Sequence, residues 1–123
     1  MSLEKIDPAL GLLKEFSKAT KGTVQHIDGM RSKAIFTDGE VSSKYKILSA
    51  MLWSISARCE PCIKFYVSKA IESGVSENEF GEFLAIANTM GGCVGEMWAL
   101  KAYQAFRKMR DGDEVIEPTS CCQ

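Results

Sequence analysis

The chain has 123 residues, a formal net charge of −1 at pH 7, and 46% hydrophobic and 25% charged residues. That composition is ordinary for a globular protein, and the length suits one domain with one core. The near-neutral charge argues against a nucleic-acid-binding domain, because such a domain carries clustered positive charge.

The sequence gives no indication of a membrane-spanning or secreted protein. The longest apolar run, residues 47–57, is too short to span a bilayer. Residues 1–5 are not followed by the apolar stretch of a signal peptide. We therefore expect a cytoplasmic protein. In that reducing compartment, a close pair among the five cysteines is more often catalytic than structural.

The first two predicted elements are helices. Asp7 and Pro8 are typical of an N-cap followed by the first helical residue, and the apolar spacing after them predicts a helix ending near Gly22. A weaker apolar pattern predicts a second helix over residues 23–36. Residues 37–40 have the composition of a turn.

A third helix is predicted over residues 43–57. It is apolar nearly all round, including Trp53, which is typical of a buried central element. The fourth helix begins at a Cys-x-x-Cys pair and ends at Gly74, a residue that favours the left-handed conformation found at helix ends.

The start of the fifth helix is the clearest local signal in the chain. Ser76 and Glu79 have the spacing of a capping box. This helix is predicted to end at the glycines of residues 91–92, and a sixth helix to run over residues 93–110. Gly95, near the start of the sixth helix, is interpreted together with those two glycines as permitting a close helix contact.

These elements predict an all-α domain over residues 1–110, built as a bundle of about six helices. Residues 111–123 are acidic and aperiodic, and are predicted to form a flexible tail. The apolar stripes are generous for so short a chain, so we expect a homo-oligomer that buries the excess.

The cysteine pair, Cys59 and Cys62, carries the functional interpretation. If Cys59 is the N-cap, Pro61 falls in the first turn and Cys62 at the third helical position. Unpaired backbone N–H groups and the helix dipole would then favour a thiolate. The pair is interpreted as a redox centre. Two alternatives stay open: inert structural thiols, or half of a zinc site. The remaining candidate zinc ligands are Cys93, Cys121, Cys122 and His26.

Four segments together resemble the carboxymuconolactone decarboxylase superfamily, and its AhpD-like alkylhydroperoxidase branch above all. They are residues 43–48, 58–66, 74–80 and 90–92, and the resemblance covers about residues 40–108. It implies an all-helical fold that assembles as trimers or hexamers. It also implies thiol-dependent peroxide or disulfide chemistry, often served by a lipoyl-type dithiol partner, with no metal or flavin. The decarboxylase branch lacks this cysteine pair.

The sequence departs from the family pattern at two positions that matter for proton transfer. The family has a glutamate where this chain has Ile47, and a histidine where it has Tyr66. Tyrosine is a poor base at neutral pH, although its hydroxyl can donate a hydrogen bond to a Cys62 thiolate one helical turn away. We therefore expect weak or absent peroxidase activity, whereas a thiolate assisted only by the helix end could still exchange disulfides slowly.

The resulting prediction is a thiol–disulfide oxidoreductase or alkylhydroperoxidase-like enzyme that uses Cys59, Cys62 and Tyr66. The alternative is a non-catalytic helical oligomer, or a member of the family that binds a small ligand. His26 is a candidate replacement for the missing histidine, and Cys93 a candidate resolving thiol. The simpler interpretations are a surface histidine and a small residue at a helix contact.

Overall fold

The structure is a computed structural model that describes residues 2–112. Every regular element in this part of the chain is helical, as predicted. The α-helices are α1 (Leu3–Ile6), α2 (Leu13–Ala19), α3 (Thr23–Ala34), α4 (Ser43–Ser56), α5 (Glu60–Glu72) and α6 (Glu77–Arg110), with a 3₁₀ helix (Pro8–Leu12) between α1 and α2. The predicted tail, with Cys121 and Cys122, lies almost wholly outside the described residues.

The amino-terminal region differs from the single helix expected after Asp7. The extended backbone of Asp7 separates a short additional helix, α1, from the 3₁₀ helix that leads into α2. Asp7 still caps as predicted, since its Oδ1 accepts a hydrogen bond from the backbone N–H of Ala9 at 2.9 Å. Gly11 lies in the 3₁₀ helix. Glycine has a low α-helix propensity, which disfavours a regular α-helix in this segment.

The core lies between α4, α5 and α6, which pack against one another. All three contribute large, fully buried side chains: Leu48 and Met51 from α4, Ile63 and Val67 from α5, and Phe80 and Phe106 from α6. Helix α4 contributes buried side chains to the core, as predicted, and packs on both α5 and α6, which also pack on each other. The expectation that it is buried all round is wrong, since Trp53 is 72% exposed.

Helix α6 reverses direction at Gly92 and forms a hairpin. Gly92 has non-helical backbone angles, φ 59° and ψ −144°. Phe80 and Phe106 stack with ring centroids 4.4 Å apart, whereas a straight helix would separate them by about 39 Å. The hydroxyl of Tyr103 also donates a hydrogen bond to Glu77. The two arms, residues 77–91 and 93–110, are therefore the predicted fifth and sixth helices.

The glycines at the hairpin have different roles. A Cβ at Gly95 would lie 2.3 Å from the carbonyl oxygen of Ala87, so the close approach of the two arms requires glycine there. A Cβ at Gly91 or Gly92 would meet nothing within 4 Å. The predicted close contact is thus confirmed for Gly95, while Gly92 supplies the positive φ that the reversal needs.

The capping box at the start of α6 is confirmed. The hydroxyl of Ser76 accepts a hydrogen bond from the backbone N–H of Glu79 at 3.1 Å, and the carboxylate of Glu79 accepts one from the backbone N–H of Ser76 at 3.0 Å. Glu79 also pairs with Lys44 of α4 at 2.7 Å. The pKa of the Glu79 carboxyl lies below its ordinary value of 4.5, first because of the Lys44 hydrogen bond and then because of the cap.

We expect Gly95→Ala to lower the free energy of unfolding by about 1–3 kcal/mol, because the new methyl group must push the two arms of α6 apart. Gly81→Ala is the matched control. Gly81 has open space around it within the same helix, so this change raises stability by up to about 1 kcal/mol. Urea unfolding followed by circular dichroism measures both values. A Gly95→Ala variant as stable as the wild type would contradict the close approach.

A carboxyl group whose pKa is lower in the folded than in the unfolded protein stabilises the fold when the pH is above the unfolded pKa. This stabilisation is lost as the pH falls through the folded pKa. The wild type should therefore lose stability as the pH drops below about 4.5. Glu79→Gln keeps both cap hydrogen bonds but removes the charge. We expect lower stability than the wild type above pH 4.5 and a flatter decline below it, measured by urea unfolding at several pH values. Glu82→Gln, an exposed position on the same arm, should keep the wild-type slope.

Candidate functional site

The candidate site begins where α4 ends. Arg58 adopts a left-handed conformation, with φ 56°, and its backbone N–H donates to the carbonyl of Ile55 at 3.0 Å. The backbone N–H of Cys59 donates to the carbonyl of Ser54 at 3.1 Å. These two bonds form the Schellman motif, which normally has glycine in the left-handed position. The chain turns sharply here and enters α5 at once.

Cys59 is the N-cap of α5, as predicted. Its carbonyl accepts the first intrahelical hydrogen bond, from Ile63 at 2.9 Å, and Pro61 lies in the first turn, where its missing N–H is not needed. Cys62 is the third helical residue. The Cα atoms of Cys59 and Cys62 are 5.3 Å apart, and the two sulfurs lie at disulfide-bonding distance. Helix geometry therefore brings the pair together.

The pair lies at the surface of the protein. Cys62 is exposed and Cys59 is half-buried. Two inert structural thiols would be expected inside the core, where free cysteine behaves as a small hydrophobe. This exposure instead leaves the pair open to a reagent from solvent.

An ion pair that the sequence analysis did not identify spans the first turn of α5. Lys64 Nζ lies 3.0 Å from the carboxylate of Glu60, and the Lys64 side chain is only 8% exposed. The i,i+4 spacing of Glu and Lys is a sequence signal for such a pair, but its burial depends on how neighbouring elements pack. Glu60 also complements the helix dipole at the N-terminus of α5.

The two positions at which the chain departs from the family pattern are both buried. Ile47 is 3% exposed and Tyr66 is 9% exposed, and both belong to the main core. The Tyr66 ring packs against Phe36 and Phe65, with centroids 6.3 and 5.1 Å away. Within residues 2–112 no hydrogen bond is recorded for the Tyr66 hydroxyl. The bond to a reduced Cys62 therefore stays a prediction.

The other candidate side chains lie elsewhere. His26 is exposed on α3, which packs against α2. Cys93 is an exposed free thiol next to the reversal of α6. In the described part of the chain, no three His, Cys, Asp or Glu side chains form a group suited to a metal ion. The helices between residues 2 and 112 include none with the length and apolar character needed to cross a membrane.

Fold and site together define an all-helical protein with a cysteine pair at the start of an inner helix. The model of the carboxymuconolactone decarboxylase family matches residues 22–105. The chain therefore belongs to the carboxymuconolactone decarboxylase family, as its sequence motifs indicate.

Two known proteins are similar to this chain. An uncharacterized protein from Cupriavidus necator is 30% identical over 104 residues, which cover 85% of this chain and 88% of that protein. The crystal structure of an apo carboxymuconolactone decarboxylase family protein from Legionella pneumophila superposes with a TM-score of 0.80 at 25% identity. The match covers 87% of this chain and 95% of the Legionella chain. The likeness therefore spans nearly the whole fold.

Proposed function

We propose that this protein is a thiol–disulfide oxidoreductase of the AhpD-like branch of its family, acting through Cys59 and Cys62. One observation carries the proposal: the two sulfurs lie at bonding distance at a solvent-accessible helix start. Backbone N–H groups and the helix dipole stabilise a thiolate at such a position, and the thiolate is the reactive form of cysteine.

The proposed reaction depends on two thiols, Cys59 and Cys62, that can form a disulfide with each other. In the reduced protein, the thiolate of Cys62, the more exposed cysteine, attacks a substrate disulfide and releases one substrate thiol. Cys59 then attacks the resulting mixed disulfide and releases the second thiol. The protein has lost two electrons and holds the Cys59–Cys62 disulfide. An external dithiol of the lipoyl type returns those electrons by the same exchange.

Reduction of a peroxide is the slower reaction in this proposal. Two thiols and an alkyl hydroperoxide give a disulfide, an alcohol and water, and the departing oxygen needs a proton. Ile47 offers none, and Tyr66 is a weak acid packed into the aromatic core. General acid–base assistance is worth about 10²–10⁴-fold, so its absence leaves a weak peroxidase.

The exposed apolar surface supports a homo-oligomer, which we propose to be a trimer or hexamer. Trp53, Met30 and Leu100 are large apolar side chains that are 72%, 64% and 54% exposed. Exposed apolar side chains in such number are typical of a surface that another subunit covers. Burying them would stabilise the assembly by roughly 25 cal/mol for each Å² removed from water.

A second candidate function is a non-catalytic oligomer that binds a small apolar ligand. The burial of Ile47 and Tyr66 favours it, because these positions hold core side chains in place of an acid and a base. The two functions differ in their dependence on sulfur. A binding protein keeps its function when both cysteines are replaced, whereas an oxidoreductase loses it.

We expect Cys59→Ser and Cys62→Ser each to abolish turnover of hydroxyethyl disulfide with dihydrolipoamide as reductant, because each removes one half of the dithiol. Cys93→Ser is the matched control, since Cys93 is an exposed thiol outside the pair, and should retain wild-type turnover. Mass-spectrometric mapping should find the Cys59–Cys62 bond in the oxidised protein. Wild-type protein that shows no dithiol-dependent turnover would contradict the proposal.

Tyr66→Phe tests the predicted hydrogen bond to the reduced sulfur. The ring keeps its contacts with Phe36 and Phe65, and only the hydroxyl is lost. One hydrogen bond is worth roughly 1 kcal/mol, so disulfide exchange should slow about threefold to tenfold. Stopped-flow measurement at pH 7 gives this rate. Tyr45→Phe, at an exposed tyrosine of α4, is the control and should not change it. An unchanged rate for Tyr66→Phe would leave Tyr66 as a packing residue only.

A further inference from the structure

A cleft beside the cysteine pair has no role in the chemistry described above. It lies between the end of α4 and the tip of the α6 hairpin, with a volume of about 440 Å³. Its apolar lining comes from both helices: Leu52 and Ile55 of α4, and Ile86, Met90 and Val94 of α6. Small-molecule sites in proteins are typically about 300–1,000 Å³ and mostly apolar, so the size and lining suit a small ligand.

The cleft has one charged lining residue, Arg58. The Arg58 side chain is exposed, and no ion pair or hydrogen bond is recorded for its guanidinium group within residues 2–112. Its position in the fold is also unfavourable for arginine. The left-handed conformation with φ 56° is unfavourable for a residue with a Cβ, and glycine would avoid that cost. The positive charge at the mouth of the cleft is thus available to a ligand.

We propose that this cleft binds an amphipathic monocarboxylate. The aliphatic chain lies along the apolar walls, and the carboxylate accepts two hydrogen bonds from the planar guanidinium of Arg58. Arg58 directly precedes Cys59, so the ligand lies next to the dithiol. The idea that this ligand is a substrate of the dithiol rests on the proposed function. The binding of the ligand in the cleft does not require redox chemistry.

The test uses a carboxylate that cannot react with thiols. Sodium octanoate is titrated into the full chain by isothermal titration calorimetry, with 1-octanol as the uncharged probe of equal chain length. We expect the wild type to bind octanoate. Arg58→Met should weaken octanoate binding roughly tenfold and change octanol binding less than twofold, because only the charge-assisted bonds are lost. Arg58→Lys should bind octanoate with an affinity between those of the wild type and Arg58→Met, because lysine keeps the positive charge but cannot donate the two parallel hydrogen bonds of the guanidinium.

Two further variants separate the cleft from general effects. Lys33→Met removes a positive charge from the exposed surface of α3 and should leave octanoate binding unchanged. Val94→Phe narrows the cleft at a half-exposed position and should weaken both probes. Circular dichroism checks that each variant is folded, and sedimentation velocity gives its oligomeric state.

Three outcomes would overturn the proposal. The wild type does not bind octanoate, or Arg58→Met binds it as tightly as the wild type. In the third outcome, octanoate binds neither the wild type nor any variant, and Val94→Phe dissociates an oligomer of the protein. That result would show that a second copy of the chain occupies the cleft. Arg58-dependent octanoate binding without dithiol turnover would support the site and reject the proposed function. Dithiol turnover without octanoate binding would support the proposed function and reject the carboxylate site.

Discussion

The sharp turn between α4 and α5 is the constraint on which the candidate site depends. Two backbone hydrogen bonds close it, to the carbonyls of Ser54 and Ile55, and the left-handed Arg58 makes both possible. Only residues 57–59 separate α4 from α5, so Cys59 serves as the N-cap of α5 and Cys62 follows within the first turn. The turn is held in place because α4 and α5 pack against each other and against α6. The sulfur geometry is therefore a consequence of how one helix ends.

Features with a local cause could be predicted from the sequence. The capping box of Ser76 and Glu79 and the placement of Pro61 in the first turn of α5 depend on residues three or fewer positions apart. The all-helical class and the cysteine pair at a helix start follow from the same short-range rules. The reversal at Gly92 was also signalled, because paired glycines interrupt helical spacing.

Features that depend on packing could not be predicted in this way. Trp53 has the spacing of a core residue, yet its side chain is 72% exposed. Lys64 is a charged residue whose burial follows from its pairing with Glu60 and from neighbouring elements. The left-handed Arg58 carries no local signal, since glycine is the residue that marks such a conformation. The exposure of Trp53 and the burial of Lys64 depend on how the helices pack, whereas the turn at Arg58 is closed by local bonds to Ser54 and Ile55.

The short separation of the two cysteines has a consequence for the whole molecule. The bond between them links residues three positions apart, both within the first turn of a helix that is packed along its length. Because the loop closed by this bond is so short, breaking the bond adds little conformational freedom to the unfolded chain. The stability of the helical fold therefore depends little on the bond. The surrounding architecture can therefore stay the same whether the cysteine pair is bonded or open, which is what the proposed function requires.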